Sequence, residues 1–474
     1  MSDEVSGGSS EPARDPAAGP AGPAPDQGAA PGQATTPGQA TAEASSGATG
    51  ESGQGESGQG ESEPPKPRRG GLDRAILDAI AQGSPTVTTT LAFIAALVIG
   101  ALVIAFSNPT VLHYWNSFAA APGTALSSTW DSIAAAYSAM FEGAIFNPHT
   151  ISAAFHGGSV GAIFYPLSET AAQATPLILA GLSVALAFRA GLFNIGAASQ
   201  WIGGAIVVTW LGFGVSLPPV IHVVVCLAGG FAGGAVMGWL VGALKARTGA
   251  HEVIVTIMLN YVMYDVLSYV LGTPKAIQLP HQADLISPGI ASDADLPHVG
   301  GPPPQVGVGF LIAVAAAVAM WWLLARSTTG FQFRTVGANP NAARTAGMSV
   351  EKTWVLAMLL AGGLAGLSGA VSTQGMFYSL NSQSYGNYGI NGITVALLGR
   401  AKPTGTVLAA LLFGALEAGG TVMEAATTVP IDIVEVLQGL IVLFVAAPLM
   451  IRAVFRLRAA QGTGMETVTK GWNG

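Results

Sequence analysis

Charge is what this sequence has least of. Only 9% of its 474 residues are charged, where a soluble globular protein carries roughly 25%. Half the residues are apolar, so a soluble enzyme of this size could not cover its surface. Composition points instead to one membrane domain with a polar tail. The single cysteine, Cys226, excludes an intrachain disulfide and any multi-cysteine metal site. It lies in an apolar run and reads as a buried, inert thiol. No lysine follows a glycine, so there is no Walker A loop and the chain is not itself a P-loop ATPase. His251–Glu252 begins like a zinc-protease motif, but position 255 is valine. The other histidines have no ligand spacing, and no G-x-S-x-G elbow occurs. No catalytic residue, no metal site and no cofactor bound by the chain itself is expected. No basic patch invites a nucleic-acid partner. Acids within the apolar runs are few, Glu252, Asp265 and Glu417 among them, which weighs against a proton-coupled carrier.

The charge that exists is unevenly spread. Residues 1–70 hold ten of the 26 acids and four of the 19 bases, so the pI near 5.5 reports mostly this tail. The tail is Ala, Gly, Pro, Ser and Gln-rich, with a GESGQ repeat from Gly50. It cannot bury enough apolar area to offset its ordering entropy, and is expected to be a disordered cytoplasmic segment. It is acidic and long, without the apolar stretch of a signal peptide. A basic cluster (Lys66, Arg68, Arg69, Arg74) leads into a membrane domain over 71–460. A short cytoplasmic tail, 461–474, follows.

A bilayer core of ~30 Å needs about 20 helical residues. Apolar runs of that kind occupy 86–107, 166–188, 191–211, 219–244, 250–272, 306–325, 353–375, 404–422 and 433–450, with a shorter one at 388–399. The fold class is therefore an all-α polytopic membrane protein with about ten transmembrane helices. Basic residues sort the loops. Arg189, Lys245, Arg247, Arg326, Arg334, Arg344, Lys352, Arg400 and Lys402 fall on one side with the 66–74 cluster, and Lys275 is the exception. This places both termini in the cytoplasm of a cell-membrane protein, provided that 388–399 counts as a crossing. The outer segment 108–165 contains a mildly amphipathic stretch, 124–146, that reads as a helix on the outer surface.

Three polar features stand out. Glu252, Thr256, Asn260, Tyr264 and Ser268 recur every four residues, which puts them on one helix face. That stripe makes interhelical hydrogen bonds or lines a water-filled path. Around Asn194 and Gln200, a charge, amides and glycines interrupt two apolar stretches. This is either a tight turn or a helix break bordering a cavity. From Gln374 through Tyr378 to Asn391 the chain reads QGMFYSLNSQSYGNYGIN, amides and tyrosines without a charge. It is either an ordinary outer loop or a surface suited to a neutral ligand such as a nucleobase or sugar. The paired glycines at 229–234 and 362–369 suit close helix packing.

Four blocks carry a resemblance. RAGLFNIGAASQ (189–200), EVIVTIMLNYV (252–262), FRTVGANPNAARTAGM (333–348) and GINGITVALLGRAKPTGT (389–406) resemble, in order, the signatures of ABC importer permeases for nucleosides and simple sugars. These belong with the binding-protein-dependent permeases of the branched-chain amino acid and ribose type. The match covers about 160–450. It implies a permease subunit without its own ATPase, working by alternating access, in a bacterial cell membrane. It also implies three partners that act in the lipid bilayer or at its faces. These are an ABC ATPase of twin-module type that uses the ATP, a second homologous permease and an extracytoplasmic substrate-binding lipoprotein. Asn339, Pro340, Asn341, Ala342, Ala343, Arg344 and Gly347 match the spacing of a loop that couples to the ATPase, with Asn341 where glutamate is usual. Ala198-Ser199 stands where Glu-Gly is usual. Asn194, Gln200, Glu252, Asn260, Gln374, Tyr378 and Asn391 are the expected substrate path. The alternatives are a sugar or branched-chain amino acid permease, or a secondary carrier.

Overall fold

The computed structural model describes residues 85–273, 277, 285–297, 307–381, 387–427 and 429–447. The expected disordered tail, the 66–74 cluster, Lys275 and the 461–474 tail lie outside these. The described residues form α1 (Pro85–Ser107), α2 (Pro109–Asn116), α3 (Pro122–Ala144), α4 (Pro148–Phe155), α5 (Tyr165–Arg189), α6 (Ala197–Gly214), α7 (Pro219–Thr248) and α8 (Glu252–Gly272). After an outer segment come α9 (Val308–Arg326), α10 (Thr328–Ala338), α11 (Pro340–Thr345), α12 (Val350–Ser372), α13 (Tyr388–Leu398), α14 (Pro403–Ala426) and α15 (Asp432–Ala446). Proline opens many of them, as at Pro109, Pro122, Pro148, Pro219, Pro340 and Pro403. There its fixed φ suits the helix and its missing N–H costs nothing.

Among the described residues seven helices are long and apolar enough to cross a membrane, against about ten expected. Each of the ten expected runs holds a helix among the described residues, but three of these fall outside that set. Helix α13 has 11 residues, or about 16 Å, half of a bilayer core. Helix α15 has 15 residues with Asp432 and Glu435 in its first turn. Helix α6 has 18 and starts at Ala197, not 191, because residues 190–196 are not helical.

Helix α5 is the hub, buried continuously from Ala174 to Ala187. Its internal Pro176 removes one backbone bond, and the freed region is stitched to α12 by Ser368 Oγ donating to the Pro176 carbonyl at 2.8 Å. Lipid is as apolar as leucine, so helices gain by close packing rather than by burial from water. Accordingly α7 and α12 cross backbone to backbone. Gly230 and Gly234 lie against Gly362 and Gly366, and Gly238 lies against the Met358 carbonyl, leaving no room for a Cβ. A second cluster unites α1, α3, α14 and α15.

Helix α3 departs from the surface-lying helix expected of 124–146. Ala136, Ala139, Met140, Gly143 and Ala144 form a buried small-residue face, at the i, i+3, i+4, i+7, i+8 spacing of one helix side. Gly143 meets Val422, and Gly419 meets the Met140 backbone. Tyr137 Oη donates to the Leu97 carbonyl of α1 at 2.7 Å. The small residues let α3 enter the bundle, which its weak amphipathicity concealed.

Candidate functional site

The fold brings the four sequence blocks to one place, and the 189–200 block touches each of the others. Arg189 Nε donates to the Ala401 carbonyl at 2.9 Å. Ala401 and Arg400 both hold left-handed backbone, φ 49° and 52°, a conformation costly outside glycine, and the arginine pins that turn. Gly191 is left-handed too, and a Cβ there would sit 2.9 Å from Gly337 Cα. The base of α10 therefore packs on the break itself. Ser199 N donates to Asn260 Oδ1 of the 252–262 block at 3.0 Å, and Gly389 of α13 lies against the Ala198 backbone.

Why the chain breaks here follows from its side chains. Asn194 and Gln200 are fully buried and hold each other reciprocally. Asn194 Nδ2 donates to Gln200 Oε1 at 2.8 Å and Gln200 Nε2 donates back at 3.0 Å. Asn194 Nδ2 also donates to Ser183 Oγ at 3.2 Å, six residues inside α5. The 190–196 segment thus re-enters the bundle, and α6 starts within it. A helix start leaves orphan N–H groups. Asn260 of α8 accepts from Ser199 N at 3.0 Å and donates to the Ile195 carbonyl at 3.1 Å. Glu252 opens α8, 7% exposed, with Lys245 Nζ at 2.6 Å.

Beside the break, α10 and α11 meet at Asn339, whose Oδ1 accepts from the Asn341 and Ala342 N–H groups, each at 3.0 Å. Pro340 occupies the first helical position. Ala343 is buried with Val336 and Val350, and Met348 and Trp354 pack on them. Asn341, Ala342 and Arg344 are exposed. Arg344 donates to Glu351 at 3.0 Å, and Gly347, φ +80° with open space around it, turns the chain into α12. The result is a short, capped helix presented outward and rooted by one alanine.

The remaining expected path residues lie elsewhere. Residues 373–377 continue α12 as a π-turn, a feature often found at functional sites. Gln374 is fully buried. Its Nε2 donates to the Ala294 carbonyl at 2.7 Å, and its Oε1 has no partner among the described residues. Tyr378 is left-handed, φ 55°, and its carbonyl accepts from Ile290 N at 2.8 Å. Burial, with Asp295 nearby, raises its phenol above the ordinary range, so it stays neutral. Asn391 is half-buried in the first turns of α13. Residues 382–386, inside the same polar run, are outside the described set.

Sequence reasoning missed the centre of this second cluster. The Tyr388 ring lies 6.5 Å from Trp201, near parallel, and 6.2 Å from Phe377. Its hydroxyl donates to Gln173 Oε1 at 3.1 Å, and Gln173 Nε2 donates to Glu169 at 3.3 Å. Trp201 Nε1 is buried without a partner among the described residues. The amide-tyrosine run signalled Tyr388, whereas Gln173 and Trp201 sat in apolar runs with nothing to set them apart. Rings and amides can hold a neutral, flat or hydroxylated ligand. Among the described residues no group of three His, Cys, Asp or Glu side chains could hold a metal ion.

The sequence profile of a family described as branched-chain amino acid transport system / permease component matches residues 167–446. The chain is similar to the guanosine ABC transporter permease protein NupP of Bacillus subtilis, 39% identical over 308 residues, covering 64% of this chain and 86% of that protein. It is similar to the glucose ABC transporter permease protein TsgB13 of Haloferax volcanii, 36% identical over 297 residues, 59% of this chain and 76% of the other. It is also similar to the nucleoside ABC transporter permease protein NupB of Lactococcus lactis, 34% identical over 312 residues, 64% and 85%. No solved structure matches.

Proposed function

We propose a nucleoside cargo for this chain, which belongs to the family of branched-chain amino acid transport system permease components and is a multi-pass membrane subunit of that kind. The observation that carries the cargo is the cluster of rings and an amide, Trp201, Phe377 and Tyr388 with Gln173. A base offers a π-face to rings, worth about 1–3 kcal/mol per stacked base, and edges to amides. A free amino acid would want a cation for its carboxylate, and the charge bonded to this cluster is the acid Glu169. Simple sugars remain the second reading, supported by the similarity to a glucose permease protein.

The mechanism proposed is alternating access. An external binding lipoprotein delivers cargo to the outer face, and a separate twin-module ATPase closes on the α10–α11 element, around Asn339–Gly347. The 189–196 break, in backbone contact with α10, is where that movement enters the bundle. Asn194, Gln200, Asn260 and Glu252 set the shape of the path at the break. Gln374, Tyr378 and Asn391 border it further out. This orientation keeps both termini cytoplasmic, in a bacterial cell membrane. A second, homologous permease completes the path. Supporting it, α8 turns Tyr261, Asp265, Ser268 and Tyr269 outward, and a carboxylate facing lipid costs about 2.5–3.5 kcal/mol.

Uptake of labelled guanosine, adenosine, uridine and ribose into cells with and without this subunit tests the cargo. Nucleoside uptake should require the subunit. In the variant Tyr388→Leu the half-saturating concentration should rise about tenfold, while Tyr388→Phe, which keeps the ring, stays near the parent. Ribose uptake alone would keep the machine and change its cargo.

A further inference from the structure

We propose that Lys245 and Trp354 are positioning residues that transmit movement of the α10–α11 element to the helix break at 190–196. The inference rests on the permease reading above. Helix α7 ends at Thr248, and Gly249, φ +71°, reverses the chain so that α8 starts at Glu252. That turn presses Lys245 Nζ to 2.6 Å from Glu252 Oε2, with side chains 18% and 10% exposed. The same ammonium stands 4.8 Å from the centroid of the Trp354 ring, which is in the first turns of α12. Trp354 in turn packs against the buried cluster that Ala343 of α11 forms with Val336 of α10 and Val350. On its other side Glu252 lies beside the Phe193 backbone of the break, and one turn along α8 Thr256 packs against Gly196, next to Asn194 and its reciprocal amide bond.

A series of neighbours therefore runs from the exposed short helix to the start of α6. It passes through Ala343, Trp354, Lys245, Glu252, Phe193 and Asn194. A mostly buried ion pair adds little net stability, because desolvation offsets its attraction. What this pair does is fix four segments in one geometry: the end of α7, the start of α8, the start of α12 and the break. The ring face attracts the ammonium, so a Trp354 that shifts with α11 draws Lys245 with it. The glycine contact between Gly191 and Gly337 is a second, steric route. Lys245 and Trp354 are thus expected to set the efficiency of coupling rather than its existence.

The test uses the whole complex, purified from native membranes through a tag on this chain and reconstituted in vesicles. Uptake of labelled guanosine, adenosine, uridine and ribose and hydrolysis of ATP are measured together. For Lys245→Met and Trp354→Leu, cargo moved per ATP should fall roughly fivefold, with complex assembly and hydrolysis retained. Lys245→Arg, which keeps the charge and can stack on the ring, should restore most of the ratio. A ratio unchanged in Lys245→Met and Trp354→Leu would overturn the inference and leave the permease reading standing. So would a loss in which uptake, hydrolysis and assembly all fall in proportion, since that is the mark of a merely structural role. A parent complex that moves none of the four in response to ATP would overturn the permease reading, and the inference with it.

Discussion

At the scale of single residues, the reciprocal Asn194–Gln200 pair explains how a polar break survives inside a membrane domain. Each amide satisfies the other, so removing one strands its partner, at about 1–3 kcal/mol for a buried unpaired group. Asn194→Leu should lower the thermal midpoint of the purified protein in detergent. Adding Gln200→Leu should cost little more, because the stranded group is then gone. Equal and additive losses would mean that the two amides act independently. Gly347 offers a cleaner backbone test, since its surroundings are open and only its φ of +80° matters. Gly347→Asn should be tolerated better than Gly347→Ala, which carries a left-handed penalty of about 1–2 kcal/mol, and unfolding midpoints would rank the two. From the sequence, Asn194, Gln200 and Asn260 stood out as polar residues in apolar surroundings. Their pairing did not, because contacts 61 and 65 residues apart leave no local trace.

At the scale of elements, helix contacts in lipid depend on shape. The α7–α12 crossing through Gly230, Gly234 and Gly238 has no space for a side chain. Gly234→Val should abolish accumulation of folded protein in the membrane. Gly214→Ala, at the end of α6 with nothing within 4 Å, should leave accumulation unchanged. Comparable accumulation of both would mean that the crossing is looser than described. Most helices were legible as apolar runs, and their prolines and glycines marked the ends. Helix α6 begins later than its run because Leu192, Phe193 and Ile195 are as apolar as a span, though the backbone there turns inward. Helix α13 read as a crossing by charge sorting, yet it is half a crossing by length. Charge records only which side a loop lies on, not how the chain gets there.

At the scale of the molecule, one junction joins an exposed short helix to a helix break within the bundle. The four blocks are far apart in sequence, and the fold assembles them around residues 189–200. The order of the blocks was legible in the sequence, but their convergence was not. The outward acid of α8, Asp265, belongs to this scale as well, since a single copy facing lipid would bear its full cost. The central claim is that this subunit moves nucleosides only when a partner ATPase acts on it. The most direct measurement is labelled guanosine uptake into vesicles holding the purified complex, with ATP on the cytoplasmic side and the binding lipoprotein on the other. The account expects uptake that needs ATP and is indifferent to a protonophore. Uptake that proceeds without ATP and collapses with the proton gradient would contradict it, and would make the chain a secondary carrier.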